Sequence, residues 1–349
     1  LCYAIGAMIS TLTFGALADR LGRKKTLVFI ETLAIVASAL YYVKSIPVLY
    51  AARIISGTVA GVNVAGGSVL LSELLPRSIN GFGGVFVYTD ITFSILTSVA
   101  QQSIFGAEKM TEYWRIFLIW PVLISIFRIA LMLVFIRTET VKFHLGKEKD
   151  ETLLREKIVN TLSYLYDPSG VEAEADHLIE DNKKQSHKVT FGELFEGKYR
   201  FRTIGGSLLN LLQQLCGINF LIFFSTDLFN DLSGNGEFMS TVLGIANFIG
   251  SFIAIATVAK FGRRFNLVTG VLFQLIAFSS LSWAVYSENT VIPAFSVILY
   301  MIGFAMGLGA TIIPYTADIL PSVGVGLANA VQWIGAAIIA KLTPILSDQ

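Results

Sequence analysis

The sequence predicts an all-α membrane protein made of two related helical bundles joined by a hydrophilic middle. Three observations carry this expectation. Of 349 residues, 54% are hydrophobic and only 15% are charged, against about 25% charged in a soluble chain. About ten runs are apolar and long enough for a spanning helix, which needs roughly 20 residues. One basic loop also occurs twice, once in each half of the chain.

Five runs precede the middle, at 2–18, 26–43, 49–72, 82–105 and 115–136. Five follow it, at 203–229, 238–259, 265–286, 292–313 and 324–346. The expected units are therefore an N-terminal bundle (1–136), a linker (137–202) and a C-terminal bundle (203–349). The linker holds about half of all the charges, and stretches such as "DETLLREKIVNTLSYLYD" read as short amphipathic helices at a membrane surface or in water. Lysine and arginine concentrate in "DRLGRKK", "PRSING", the linker and "KFGRR". Alternating the spans puts all of these on one face, which the positive-inside rule makes cytoplasmic. "VKSIP", "GAEKMTEY", "NDLSGNGE" and "SENTV" fall on the other face.

Several classes are disfavoured. A net charge of +1 gives no basic surface for nucleic acid. Cys2 and Cys216 sit in apolar runs and suit packing rather than a disulfide framework. There is no His-Glu-x-x-His, nucleophile elbow or phosphate loop. The three histidines, His144, His177 and His187, all lie in the linker. No enzyme activity, metal or cofactor is expected. The first run has no basic leader and no small-residue cleavage site, so the sequence reads as starting inside a membrane segment.

The repeat is specific. "ALADRLGRKKTLV" follows the first run and "TVAKFGRRFNLVTG" the seventh, aligned on Gly22-Arg23 and Gly262-Arg263. Glu73 ends the third run in "SELLP" and Asp318 ends the ninth in "ADILP", each an acid-x-x-Pro. Two such halves form a transporter architecture, with a substrate site between them. Asp19, Arg20, Arg23 and Glu73, with Arg263, Arg264 and Asp318, can pair across helix ends and lock one conformation. Setting topology is the simpler role for such loops.

Taken together these residues resemble the sugar porters, the sugar and inositol transporters of the major facilitator superfamily. "GALADRLGRKKTL", "RIISGTVAG", "SELLP", Trp114-Arg115 and "ETVKF" (from Glu139) match in the first half. "QQLCGINFLIFFS", "FGRR", "PYTADILP" and "QW" match in the second. The resemblance pairs the ten runs with the family's second to eleventh helices and leaves its first and twelfth without a counterpart. It implies transport of a sugar, most naturally a hexose, by alternating access as a facilitator or a proton symporter. It also implies a multi-pass protein of the plasma or an internal membrane, with lipid, sugar and a candidate proton as partners.

The amides carry the implied site. Amides in hydrocarbon are costly unless they face a partner or a wet cavity. They offer both donor and acceptor to a sugar hydroxyl without adding charge. The resemblance assigns sugar contact to Gln213, Gln214 and Asn219, with Gly217 permitting a helix break between them, and to Asn247. Trp333 and Gln332 fall on its eleventh helix. Asn210, one turn before Gln214, is placed to face the same cavity. Interhelical hydrogen bonding is the other common use of membrane amides.

The chain also departs from the pattern. Tyr88 or Thr89 stands where a glutamine is usual, Phe223 and Phe224 replace tyrosines, and Ile313 replaces a tryptophan. Asn80 replaces an arginine, and Ala259 an acid. Pro314 offers a break in the ninth run, and Gly303, Gly307 and Gly309 permit close contact or a bend. Asp90 is an intramembrane acid, able to replace a polar contact or take up a proton. Arg53 matches the arginine used in proton-coupled members; snorkelling to the interface is its other role. A sugar sensor of transporter ancestry and a carrier of polyols or other small polar organics are the competing functions.

Overall fold

In the computed structural model the described residues are 1–75, 83–148, 150–164, 170–184, 189–233, 236–286 and 292–347. The loop around Arg77, Asn80, His187, part of "NDLSGNGE", all of "SENTV", and the side chains of Phe223 and Phe224 lie outside them. Among the described residues the regular structure is helical throughout. The first half comprises α1 (Cys2–Leu21), α2 (Arg23–Leu40), α3 (Ile46–Leu74), α4 (Gly83–Phe105), the short α5 (Ala107–Glu112) and α6 (Trp114–Phe117), and α7 (Ile119–Phe135). The middle contributes α8 (Val141–Lys147), α9 (Glu151–Ser163) and α10 (Val171–Lys184). The second half comprises α11 (Gly197–Leu215), α12 (Ile218–Ser233), α13 (Gly236–Phe261), α14 (Arg263–Tyr286), α15 (Ile292–Phe304), α16 (Ala310–Ile319) and α17 (Ser322–Ser347).

Among the described residues, eight helices are long and apolar enough to cross a membrane. The two other expected runs are helical but differ in physical character. In α2, Arg23, Lys24, Lys25 and Glu31 share 18 residues. The run 203–229 is two helices, broken at Gly217, whose φ of 91° is a conformation other residues rarely adopt. The ninth run departs from expectation in a different way. Pro314 does not end it: α16 continues through Pro314. The irregularity falls earlier, at Ala305–Gly309, wound as a π-helical turn. The glycines explain the position. A Cβ on Gly270 of α14 would come within 2.5 Å of Gly307 Cα, so two backbones meet there.

The first half shows the same device. In α1 and α3 the chains touch so closely that a Cβ on Gly57 would overlap the carbonyl of Tyr3, and one on Gly6 the carbonyl of Ile54. Small residues permit such approach where helices gain no hydrophobic drive from lipid. Gly57→Leu is expected to lower stability by about 3 kcal/mol, the upper end of overpacking. Gly15 faces open space, so Gly15→Ala is expected to gain up to about 1 kcal/mol from helix propensity. Thermal unfolding of the two variants in detergent checks both signs.

The halves meet where α1 packs on α17 and α4 packs on α13. Val85 and Tyr88 of α4 belong to the same buried cluster as Leu243, Tyr300 and Phe304 of the second half. Phe14, Leu27, Ile30 and Val62 form a separate cluster in the first half. The middle helices have their own small core of Val141, Leu154, Ile158, Leu162, Val171 and Ala175, as amphipathic periodicity requires. Asp150 caps α9 by accepting from Thr152 N at 3.0 Å. The bond from the Thr152 hydroxyl, followed by that from the Thr152 backbone, holds the Asp150 carboxyl below its ordinary range. Outward, the long helices present Leu123, Phe127, Leu133 and Phe135, all more than half exposed, as a surface for lipid.

Candidate functional site

The break at Gly217 places the two ends of the amide cluster beside each other. Gln213 and Gln214 close α11, and Asn219 opens α12. Asn219 Nδ2 donates to Gln214 Oε1 at 2.5 Å. Gln332 Nε2 of α17 donates to Gln213 Oε1 at 2.7 Å, and Gln213 Nε2 donates to the Leu308 carbonyl at 2.9 Å. That carbonyl belongs to the π-helical turn. Such turns release backbone groups from the α pattern and often occur at functional sites. The glutamine is thus clamped from both sides and its amide orientation is fixed.

These residues line a cavity of about 920 Å³ together with Asn247 and Trp333. The volume is that of a small-molecule pocket. Among the described residues, the Gln214 amide nitrogen and the Asn219 carbonyl oxygen have no protein partner. They remain as one donor and one acceptor for a ligand hydroxyl. Tyr88, standing where a glutamine was expected, donates from its hydroxyl to Asn247 Oδ1 at 2.9 Å. This bond crosses between the halves and takes the Asn247 oxygen, so the NH2 is the donor that the side chain has left. The phenol also fills the space over Gly309. Trp333 meets Tyr3 edge to face, with ring centroids 5.9 Å apart. Ile313 lines the cavity too, so an aliphatic wall replaces the expected indole.

Two predicted residues lie elsewhere. Asn210 is fully buried and does not line the cavity. Its Nδ2 donates to the Gly206 carbonyl at 2.8 Å and to Thr316 Oγ1 at 3.0 Å, so it joins α11 to α16. Arg53 is exposed, with its guanidinium 5.8 Å from the centre of the Tyr41 ring, and also lies outside the cavity.

Asp90 does line the cavity, and it is paired. Arg128 Nη2 donates to Asp90 Oδ2, and Arg128 Nη1 lies 3.3 Å from Glu31 Oε1. Asn63 Nδ2 donates to the same Glu31 oxygen at 2.9 Å. Glu31, Asn63 and Arg128 are absent from the sequence-based expectations. The signal for Glu31 and Arg128 was present: each is a charged residue inside an otherwise apolar run.

The helix-end charges assemble at the C-terminal ends of α1 and α3. Arg23 Nε donates to Glu73 Oε2 at 3.0 Å, and Arg23 lies 3.1 Å from Asp19. Thr140 Oγ1 adds a 2.5 Å bond to Glu73. Glu139 accepts from the backbone amides of Lys24 and Lys25 at 3.1 and 3.2 Å, capping α2 where the helix dipole favours a carboxylate. It packs directly on Gly22, whose φ of 102° shapes the turn. Arg20 contributes through its backbone, which accepts from Lys147 Nζ at 3.2 Å. In the second half Arg263 pairs with Asp318 and donates to the Pro314 carbonyl at 3.0 Å, while Arg264 is exposed. Nearby, burial and the Lys157 charge hold the His144 imidazole below its ordinary pKa, against Glu139 and Glu148.

The long apolar helices and the amide-lined cavity between two halves define an integral, multi-pass membrane protein of transporter build. Comparison with known proteins makes the class specific. The family model "Sugar (and other) transporter" matches residues 1–349, and the chain belongs to that family. Facilitated glucose transporter protein 1 of Caenorhabditis elegans is 28% identical over 94% of this chain and 67% of its own length. Hexose transporter 1 of Plasmodium falciparum is 27% identical over 84% of this chain and 63% of its own length. The chain spans about two thirds of the length of these relatives. Among solved structures, the proton:xylose symporter XylE bound to 6-bromo-6-deoxy-D-glucose superposes with a TM-score of 0.83 at 20% identity. That match covers 99% of this chain and 78% of XylE. The likeness establishes the major facilitator superfamily fold.

Proposed function

We propose that this protein carries a sugar, a hexose in the first instance, across a membrane by alternating access. The amide cluster carries the reading. Gln213, Gln214, Asn219, Asn247 and Gln332 meet in one cavity from helices of the second half, clamped in orientation, with unused donor and acceptor capacity. A ring of hydroxyls satisfies such a surface, whereas an apolar ligand leaves it unpaired. Trp333 supplies an aromatic face. Both named relatives are sugar carriers by description, and no covalent chemistry is needed.

The units in this reading are bundles at 1–136 and 203–349 and a cytoplasmic linker at 137–202. Asp19, Arg23 and Glu73 in one half, Glu139 at the start of the linker, and Arg263 and Asp318 in the other half hold the cytoplasmic ends of the helices together. They separate when that side opens. Arg20 and Arg264 flank these pairs. Equilibrium binding of labelled glucose to the purified full-length protein tests the site. Saturable binding displaced by unlabelled hexoses supports it. Binding displaced by polyols and not by hexoses would move the substrate class.

A further inference from the structure

We propose that Tyr88 is a positioning and specificity-determining residue: it holds the Asn247 amide with its NH2 toward the cavity, so that this corner takes a neutral sugar hydroxyl and rejects the ammonium of an amino sugar. This rests on the reading of the cavity as a sugar site. A free asparagine can turn either its oxygen or its NH2 to a ligand. Here α4 makes the choice. Tyr88 donates to Asn247 Oδ1 at 2.9 Å, and Asn247 Nδ2 has no protein partner among the described residues. Both residues line the cavity. The unpaired amide atoms of Asn329 are sealed in the interior, whereas Asn247 Nδ2 is not. The reverse arrangement, with the NH2 donating to the phenol, leaves the phenol proton without an acceptor. In so buried a place that loss is costly.

The phenol is itself fixed. Its ring meets Phe304 edge to face, with centroids 6.5 Å apart, and fills the space over Gly309. One turn along α4, Thr92 Oγ1 donates to Ser251 Oγ of α13 at 3.4 Å, and both residues are fully buried. Further along, a Cβ on Gly244 would press on Val99, so α4 and α13 stay close over several turns. An ammonium has donors and no acceptor. Set against Asn247 Nδ2 it gains no bond, and both groups are left unpaired. Asn219 presents its oxygen instead. The wall thus asks for an acceptor at one place and a donor at another. A hydroxyl meets either demand. A fluorine, which accepts weakly and donates nothing, meets only the demand of Asn247.

The test measures displacement of labelled glucose from the purified full-length protein. The competitors are deoxyfluoro and ammonium-bearing aminodeoxy analogues of glucose, substituted at each hydroxyl in turn. At the position that faces Asn247, the native protein is expected to bind the fluoro analogue about tenfold more tightly than the amino analogue. In Tyr88→Phe the amide turns freely. The gap is then expected to close to within a few-fold at that position alone, with glucose binding slightly weakened. Gly309→Ala pushes the phenol off Asn247 from the other side and should shift the same position. A gap that is unchanged in Tyr88→Phe, or that closes at every position alike, would overturn the proposal. So would a native protein with no such gap at any position. A folded Tyr88→Phe that binds no glucose would also overturn it, since the phenol would then do more than orient an amide. A folded native protein that binds no hexose would instead remove the sugar reading, and this proposal with it.

Discussion

Gln214→Leu is expected to weaken hexose binding and counterflow by about 30-fold, or about 2 kcal/mol. Two losses add. The substitution removes a donor that pairs with substrate. It also strips Asn219 Nδ2 of its 2.5 Å acceptor, leaving a polar group unpaired in the wall. The Gln214→Asn variant keeps the amide but shortens its reach. It should fall between the native and leucine forms if geometry matters and match the native form if polarity alone does. Labelled-glucose binding and counterflow on the three proteins separate these cases. Equal affinity in all three would remove Gln214 from the site.

Glu73→Ala is expected to cost about 3 kcal/mol, because it leaves a buried guanidinium with a poor partner. The side chains of Arg23 and Glu73 are only 9% and 7% exposed, and Asp19, the remaining acid, is 54% exposed. Thr140 loses its 2.5 Å partner as well. The double variant Arg23→Met with Glu73→Leu should recover much of the loss, since replacing both charges by apolar groups removes the desolvation cost together with the pair. Thermal unfolding in detergent reads the stability terms. Additive losses in the double variant would show that the two residues do not act as a pair.

The site was legible where chemistry was out of place in the sequence. An amide or an acid inside a twenty-residue apolar run stands out by type, as Gln213, Gln214, Asn219 and Asp90 do, while Asn247, Gln332 and Trp333 were singled out by the resemblance; all seven line the cavity. The helix-end pairs were legible because the same Gly-Arg and acid-x-x-Pro occur twice, and Arg23–Glu73 and Arg263–Asp318 are both formed. Position on a helix was less legible. Asn210 is four residues from Gln214 and so nearly in line with it, yet α16 closes over that turn and Thr316 takes its amide. The irregular turn at Ala305–Gly309 was signalled by glycines, but Pro314 drew the expectation too far along. Partners distant in the chain were not legible at all. Arg128 and Glu31 are 97 residues apart, and no spacing rule joins α7 to α2. Likewise Tyr88 and Asn247, 159 residues apart, meet because α4 packs on α13.

The most direct measurement is tracer glucose counterflow into vesicles containing the full-length protein and preloaded with unlabelled glucose. The account predicts a transient, saturable overshoot of tracer, reduced about 30-fold in initial rate by Gln214→Leu at substrate well below saturation. No overshoot above empty vesicles for glucose or other hexoses, with a protein that is folded by thermal unfolding, would contradict it.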